Sequence, residues 1–129
     1  MSLWSQHDVA GKICEILKSV SYDHHFGGRP FITVYQIAIE LERRYPETIA
    51  ALGTETGGAE SGAGGRSLPL YLGRCLSVDI RDKKLTNIEG SFLGNLNLKE
   101  ISFVGHDGDP VVSSLTGSPY PVSIYRLKD

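Results

Sequence analysis

The sequence predicts one α+β domain, residues 1–129, with helices in the first two-thirds and a small antiparallel sheet in the last third. Two observations support this fold class. Apolar residues recur with the period of an α-helix until about residue 84, whereas from about residue 87 they form short runs rich in β-branched and aromatic side chains. Of the 129 residues, 40% are hydrophobic and 22% are charged, which is the composition of an ordinary folded domain.

The first helix is predicted over residues 5–20. Its apolar residues follow i, i+4, i+7, i+8, i+11 spacing, which gives an amphipathic helix with one buried face. These residues are Val9, Ile13, Ile16, Leu17 and Val20. Residues 21–30 are rich in turn formers and are expected to form a loop.

The second helix is predicted over residues 33–45, directly after a short extended segment at Phe31 and Ile32. Thr33 is the expected N-cap of this helix. Gln36, three residues later, completes a capping box.

A further helical turn or two is predicted from Pro46 to Leu52, because proline is tolerated in the first turn of a helix. Gly53 is the expected terminator. Residues 54–65 contain five glycines and no large apolar side chain. Such a segment buries too little surface to offset the entropy of ordering it, so we expect a flexible surface loop.

The third helix is predicted over residues 67–81, with Ser67 as its N-cap and Pro69 in its first turn. Its apolar stripe consists of Leu68, Leu72, Cys75 and Leu76. Lys83 and Lys84 close the segment, where positive charge suits the negative end of the helix dipole.

Four strands are predicted in the last third of the chain, separated by turn-forming residues. They cover residues 88–92, 98–104, 111–115 and 122–127. The connections are too short for crossover helices, so the strands should pair antiparallel.

The charge distribution singles out one segment. The chain has a formal net charge of -2, whereas nucleic-acid-binding proteins usually carry a basic surplus or a basic face. Between residues 66 and 84, however, five residues are basic and two are acidic. This surplus predicts phosphate contact by the third helix and the residues after it. The alternative is a solvated helix face with a basic C-terminal end.

The patterns of catalytic and metal sites do not support an enzyme. The glycine-rich segment lacks Walker A spacing, because Glu60 stands where the first glycine is required. His24 and His25 have no third metal ligand at a suitable spacing, and residues 106–109 fit a tight turn better than a calcium loop. No hydrolase motif surrounds the serines. We expect no metal, no cofactor and no catalytic residue; a small enzyme is the third hypothesis, because triads assemble in space rather than in sequence.

Cys14 and Cys75 are far apart and fall on or beside apolar helical stripes. Without a disulfide framework or zinc spacing, both are expected to be reduced core residues, which suits a cytoplasmic protein. The sequence shows no signal-peptide pattern, and no apolar stretch approaches the roughly 20 residues that a membrane helix needs. No membrane partner is therefore expected.

The order of the predicted elements resembles a winged helix-turn-helix domain. The segment Phe31-Ile32-Thr33-Val34-Tyr35-Gln36-Ile37-Ala38 looks like the short strand and second helix of that fold, and the strands at 87–93 and 98–104 look like its hairpin wing. The resemblance implies that the third helix enters the major groove of DNA and that the wing touches the backbone. Together with Arg66 from the basic segment, it places these residues near DNA: Ser67, Tyr71, Arg74, Val78, Arg81, Lys83 and Lys84.

Two hypotheses follow. The first is a winged-helix-like DNA-binding or transcription-regulatory domain that acts as a homodimer, since one weakly charged copy would make few phosphate contacts. The alternative is a protein-interaction module on the same scaffold that does not touch DNA. Its candidate surface is the pair of C-terminal strands with Tyr120 and Tyr125, whose last strand would be an exposed edge.

Overall fold

The computed structural model of the chain describes residues 2–22, 27–56, 67–114 and 121–128. The helices are α1 (Leu3–Gln6), α2 (Val9–Lys18), α3 (Val34–Arg44), α4 (Pro46–Thr56) and α5 (Ser67–Arg81). The strands are β1 (Ile32–Thr33), β2 (Ile88–Leu93), β3 (Glu100–Val104), β4 (Pro110–Ser114) and β5 (Val122–Leu127). This order confirms the α+β fold class, with helices first and antiparallel strands last. His24, His25 and Tyr120 lie outside the described residues.

The first predicted helix is divided into two. Asp8 has a left-handed φ of 46°, and its side chain accepts a hydrogen bond from the backbone N–H of Gly11 at 3.3 Å. Asp8 therefore caps α2, which begins at Val9, and the preceding residues form the separate short helix α1. The predicted stripe of α2 is buried through Val9, Ile13, Ile16 and Leu17, as its spacing indicates.

The capping box at the start of α3 is confirmed. The hydroxyl of Thr33 accepts a hydrogen bond from the backbone N–H of Gln36 at 3.2 Å, and the side-chain oxygen of Gln36 accepts one from the backbone N–H of Thr33 at 2.7 Å. Two backbone donors that would otherwise be unsatisfied are thus paired.

Helix α4 begins at Pro46 as predicted, but Gly53 does not end it. The helix continues to Thr56, so the first three residues of the predicted flexible loop are helical and residues 57–66 lie outside the described part. The reason is that Ile49 and Leu52 are buried. Their packing outweighs the cost of about 1 kcal/mol for one glycine inside a helix.

The strands form two sheets. The first has the order β1-β5-β2, so β5 is central and antiparallel to both neighbours. Its register places Ile32 opposite Tyr125 and Leu93 opposite Val122. The second sheet is the hairpin β3-β4.

The predicted pairing of the strands at 87–93 and 98–104 is wrong, because β2 pairs with β5 and β3 pairs with β4. The tight turn lies between β3 and β4 instead. There the backbone N–H of Gly105 donates to the carbonyl of Asp109 at 2.8 Å, and Gly108 takes a φ of 91°. The chain between β2 and β3 passes through Asn97 in the left-handed region and does not form a two-residue hairpin turn.

The hydrophobic core lies between α2, α3, α5 and the helix-facing side of the first sheet. The sheet contributes Ile88 and Tyr125, and α1 contributes Trp4. The β3-β4 hairpin attaches to α3, because the ring of Phe103 stacks on that of Tyr35 with centroids 5.8 Å apart. No helix in the described ranges is long and apolar enough to cross a bilayer.

Candidate functional site

Helix α5 turns one face to solvent. Its exposed residues, Leu70, Arg74, Ser77 and Arg81, follow i, i+4, i+7, i+11 spacing. The opposite face is buried through Leu68, Leu72 and Leu76. Because seven residues make about two helical turns, Arg74 and Arg81 lie on the same side of α5, roughly 10 Å apart along its axis.

Two lysines follow directly after the end of the helix. Lys83 has a left-handed φ of 61°, and the backbone N–H of Lys84 donates to the carbonyl of Asp79 at 2.8 Å. Both lysines are exposed. We call Arg74, Arg81, Lys83 and Lys84 the basic face.

The two acidic residues of this segment have local partners. The carboxylate of Asp79 accepts a hydrogen bond from the indole N–H of the buried Trp4 at 2.9 Å. Asp82 pairs with Arg81 at 3.1 Å, with the two side chains 41% and 72% exposed. An ion pair this exposed is weak, so the guanidinium of Arg81 can exchange its partner for a phosphate at little cost.

The structure does not place the other residues predicted to contact DNA on this exposed face. Arg66 lies outside the described residues, and Ser67 begins α5 without a described side chain. Tyr71 does not fit its predicted role, because it is only 6% exposed and its ring packs edge-on against Trp4 at 6.2 Å. Helix α1 covers this part of α5, so the buried face is wider than the apolar stripe indicates. Val78 is half-buried beside that face.

A groove runs between α5 and the first sheet. It encloses a cavity of about 230 Å³ with walls from both elements. The lining residues include Ser77, Ile80, Gly90, Phe92 and Tyr125. Among the lining groups, the hydroxyls of Ser77 and Tyr125 lie 3.1 Å apart, within hydrogen-bonding distance. At its rim Phe92 is 63% exposed.

The amino-acid sequence alone does not reveal this groove. A short apolar run predicts a strand but not which of its side chains lacks cover. The one available signal is Gly90 inside a predicted strand, since an interior glycine often marks a close approach of other groups.

The predicted role of Tyr125 in partner binding is wrong. Its strand β5 is central in the sheet, and the residue is 2% exposed. Its hydroxyl also donates to the carbonyl of Gly73 at 3.3 Å. Tyr125 therefore fixes α5 to the sheet rather than offering a surface.

A second cleft lies on the other side of the sheet, of about 680 Å³ and open to solvent. The guanidinium of Arg126 lies over the ring of Phe31, donates to Glu89 at 2.8 Å and donates to the carbonyl of Arg29 at 3.1 Å. Arg29 in turn lies over the ring of Tyr22. These contacts attach the segment before β1 to β5, so the arginines of this cleft have structural roles.

Other candidate chemistry is sparse in the described part of the chain. Cys14 and Cys75 are half-buried thiols that take part in no disulfide. Burial raises the pKa of the Cys14 thiol, an effect that a hydrogen bond from Asn87 reduces. His106 lies 3.6 Å from Glu42. Within the described ranges, no three His, Cys, Asp or Glu residues are grouped so that they could hold a metal ion.

The basic face thus offers four exposed cationic side chains on one helix and the turn that follows it. Such a surface can contact phosphate groups through charge-assisted hydrogen bonds. Comparison of the chain with known protein families, with curated proteins and with solved structures finds no match.

Proposed function

We propose that this chain is a winged-helix-like DNA-binding or transcription-regulatory domain that contacts phosphates through its basic face. The observation that carries the proposal is the exposure of Arg74 and Arg81 two turns apart on one side of α5, followed by Lys83 and Lys84. Phosphate contacts of this kind supply most of the affinity of non-specific DNA binding.

The arrangement of the elements supports the winged-helix part of the proposal. The short strand β1 lies between α2 and α3, as the resemblance requires, and joins the sheet beside β5. The antiparallel pair β2 and β5 follows α5 and takes the place of the wing. In this interpretation the β3-β4 hairpin is an additional element inserted within the wing.

A homodimer belongs to the same proposal. The net charge of -2 opposes binding to a polyanion, and one copy offers only the four described cations of the basic face. Two copies would double the phosphate contacts, and the affinity would rise accordingly.

The test is fluorescence anisotropy of a labelled mixed-sequence duplex titrated with the protein at low salt. The wild type should bind with micromolar affinity. The double variant Arg74→Ala/Arg81→Ala should lose at least about tenfold, since each lost phosphate contact weakens binding on all sequences.

The matched control is Lys18→Ala/Arg43→Ala. These two exposed cations lie at the C-terminal ends of α2 and α3, which meet where Arg44 donates to the hydroxyl of Ser19 at 2.8 Å. The control removes the same net charge away from the basic face. Equal losses in both double variants would show that only overall charge matters and would contradict a site on α5.

A protein-interaction module is the second candidate, because two large apolar residues are exposed beside the basic face. Leu70 is 65% exposed on α5, and Phe92 is 63% exposed at the rim of the groove. An apolar side chain on a helix that enters a DNA groove contributes little to phosphate contact. Absence of any duplex binding at low salt would favour this second candidate.

A further inference from the structure

Strand β2 has an edge without the usual protection against pairing. Among the described strands it pairs with β5 alone, and residues 90–93 are exposed. Natural sheets protect such edges with charges, with proline or by keeping the edge strand short. Here residues 90–98 contain neither a charge nor a proline. The one charge on β2, at Glu89, is paired with Arg126 within the same sheet.

The other described strands with a free edge carry such protection. Strand β1 is two residues long and closely follows Pro30. Strand β3 contains Glu100 next to Lys99, and β4 begins at Pro110. Among the described strands with a free edge and more than two residues, β2 is therefore the one with neither an unpaired charge nor a proline.

The side chains of this edge are arranged unevenly. Gly90 has no side chain, and the ring of Tyr125 lies over it on the side facing α5, so that a Cβ atom there would be only 3.0 Å from that ring. Phe92, two residues further, points to the same face of the sheet. It is 63% exposed at the rim of the cavity that Gly90 also lines. The edge thus has a bare glycine backbone and an exposed ring side by side.

We propose that two copies of the chain pair antiparallel through β2, with Ser91 of one copy opposite Ser91 of the other. In this register Gly90 of each copy lies opposite Phe92 of the other copy. Each Phe92 ring then packs over the backbone of Gly90 and covers the rim of the cavity in the other copy, as cross-strand neighbours do. The free backbone groups of both edges are satisfied in the same step.

The edge is self-complementary, which is why a second copy is the occupant. An antiparallel pair of identical strands has a two-fold axis and presents the same patch on both sides. The axis is perpendicular to the sheet, so both three-stranded sheets join into one. Both α5 helices then lie on the same side of the joined sheet. The geometry of the dimer is inferred from the β2 edge. That the dimer serves DNA binding rests on the proposed function.

The first test is the molar mass in solution by size-exclusion chromatography with light scattering. The wild type should have twice the 14.1 kDa mass of the chain at micromolar concentrations. Phe92→Lys should give a monomer, because it replaces the ring that packs over Gly90 with a charged side chain. Val104→Lys is the matched control: Val104 is 80% exposed on β3 and its variant should remain a dimer.

The second test is disulfide crosslinking, which reads the register directly. Antiparallel residues that face each other have Cα atoms about 4.5–5.5 Å apart, within the range that a disulfide spans. Ser91→Cys should therefore crosslink two chains on mild oxidation, whereas Ser102→Cys, exposed in the middle of β3, should not.

A monomeric wild type would overturn the proposal and would leave the β2 edge to a strand of another protein. A dimer that survives Phe92→Lys and gives no crosslink through position 91 would also overturn it. Arg74→Ala/Arg81→Ala should still form the dimer, so failure of DNA binding and failure of this pairing give different results.

Discussion

Glu40 connects two arginines one helical turn further along α3. Its carboxylate accepts hydrogen bonds from Arg43 at 2.8 Å and 2.9 Å and from Arg44 at 3.1 Å. The hydrogen bonds from Arg43 are the main reason why the pKa of Glu40 lies below its ordinary value. Because the folded state favours the ionised form, these contacts stabilise the fold at neutral pH and lose their effect as the pH falls through the lowered pKa.

Glu40→Gln should therefore unfold at a slightly lower urea concentration than the wild type at neutral pH. The difference should disappear in acid, where Glu40 is protonated in both states. Urea denaturation at several pH values measures it. Glu15→Gln, at an exposed position of α2, is the control. A difference that is independent of pH would contradict the role of the Glu40 charge.

Tyr125 combines a buried ring with a hydroxyl between Ser77 and Gly73. Tyr125→Ala should cost about 3–5 kcal/mol of unfolding free energy, because it leaves a large cavity under α5. Tyr125→Phe should cost only about 1 kcal/mol, since it removes the hydroxyl and keeps the ring. Urea denaturation distinguishes the two. A loss in Tyr125→Ala as small as that in Tyr125→Phe would contradict the burial of this ring under α5.

At the scale of the elements, Phe103 holds the β3-β4 hairpin against α3 through its stacking on Tyr35. Phe103→Ala should release the hairpin locally and leave the helical core intact. Amide hydrogen exchange should then accelerate in β3 and β4 by about tenfold or more, which corresponds to roughly 1.4 kcal/mol, and should stay slow in α2 and α3.

The neighbouring Val104 supplies the control for this experiment, because it is 80% exposed. Val104→Ala should leave the exchange rates of both regions unchanged. Uniform acceleration throughout the Phe103→Ala protein would mean that the hairpin and the core unfold together, contrary to the expectation of separate units.

The elements differ in how well the sequence predicts them. Helix α3 could be predicted with its capping box, because residues 33 and 36 interact locally. The pairing of β2 with β5 could not be predicted, since the paired residues are 29 to 39 positions apart and each apolar run fits several partners. The end of α4 could not be predicted for the same reason. Gly53 predicts a helix end, but the burial of Leu52, which keeps the helix going, depends on tertiary contacts.

The candidate site could also be predicted only in part, where local spacing in the sequence decides the position of a residue. The apolar stripe of α5 correctly leaves Arg74 and Arg81 off the buried face. It does not reveal that Trp4 covers Tyr71, because helix α1 is distant in sequence. The exposed ring of Phe92 is also a consequence of sheet order, since it lies on an edge only when β5 is the central strand.

For the whole molecule, the distribution of charge matters more than its sum. The chain has a net charge of -2, yet α5 and the turn after it expose the four cations of the basic face. In that segment Asp79 is engaged by Trp4, and Asp82 is held only by an exposed ion pair. Pairing of two copies through β2 would place both basic faces on the same side of one sheet.

The most direct test of this account is the salt dependence of duplex binding by fluorescence anisotropy. Binding through phosphates releases counterions, so the logarithm of the association constant should fall linearly with the logarithm of the salt concentration. The slope should become smaller in magnitude by about two in Arg74→Ala/Arg81→Ala and should stay the same when Phe103 is changed to alanine. A wild type without affinity for the duplex at low salt, or a slope that the arginine variants leave unchanged, would contradict DNA binding through α5.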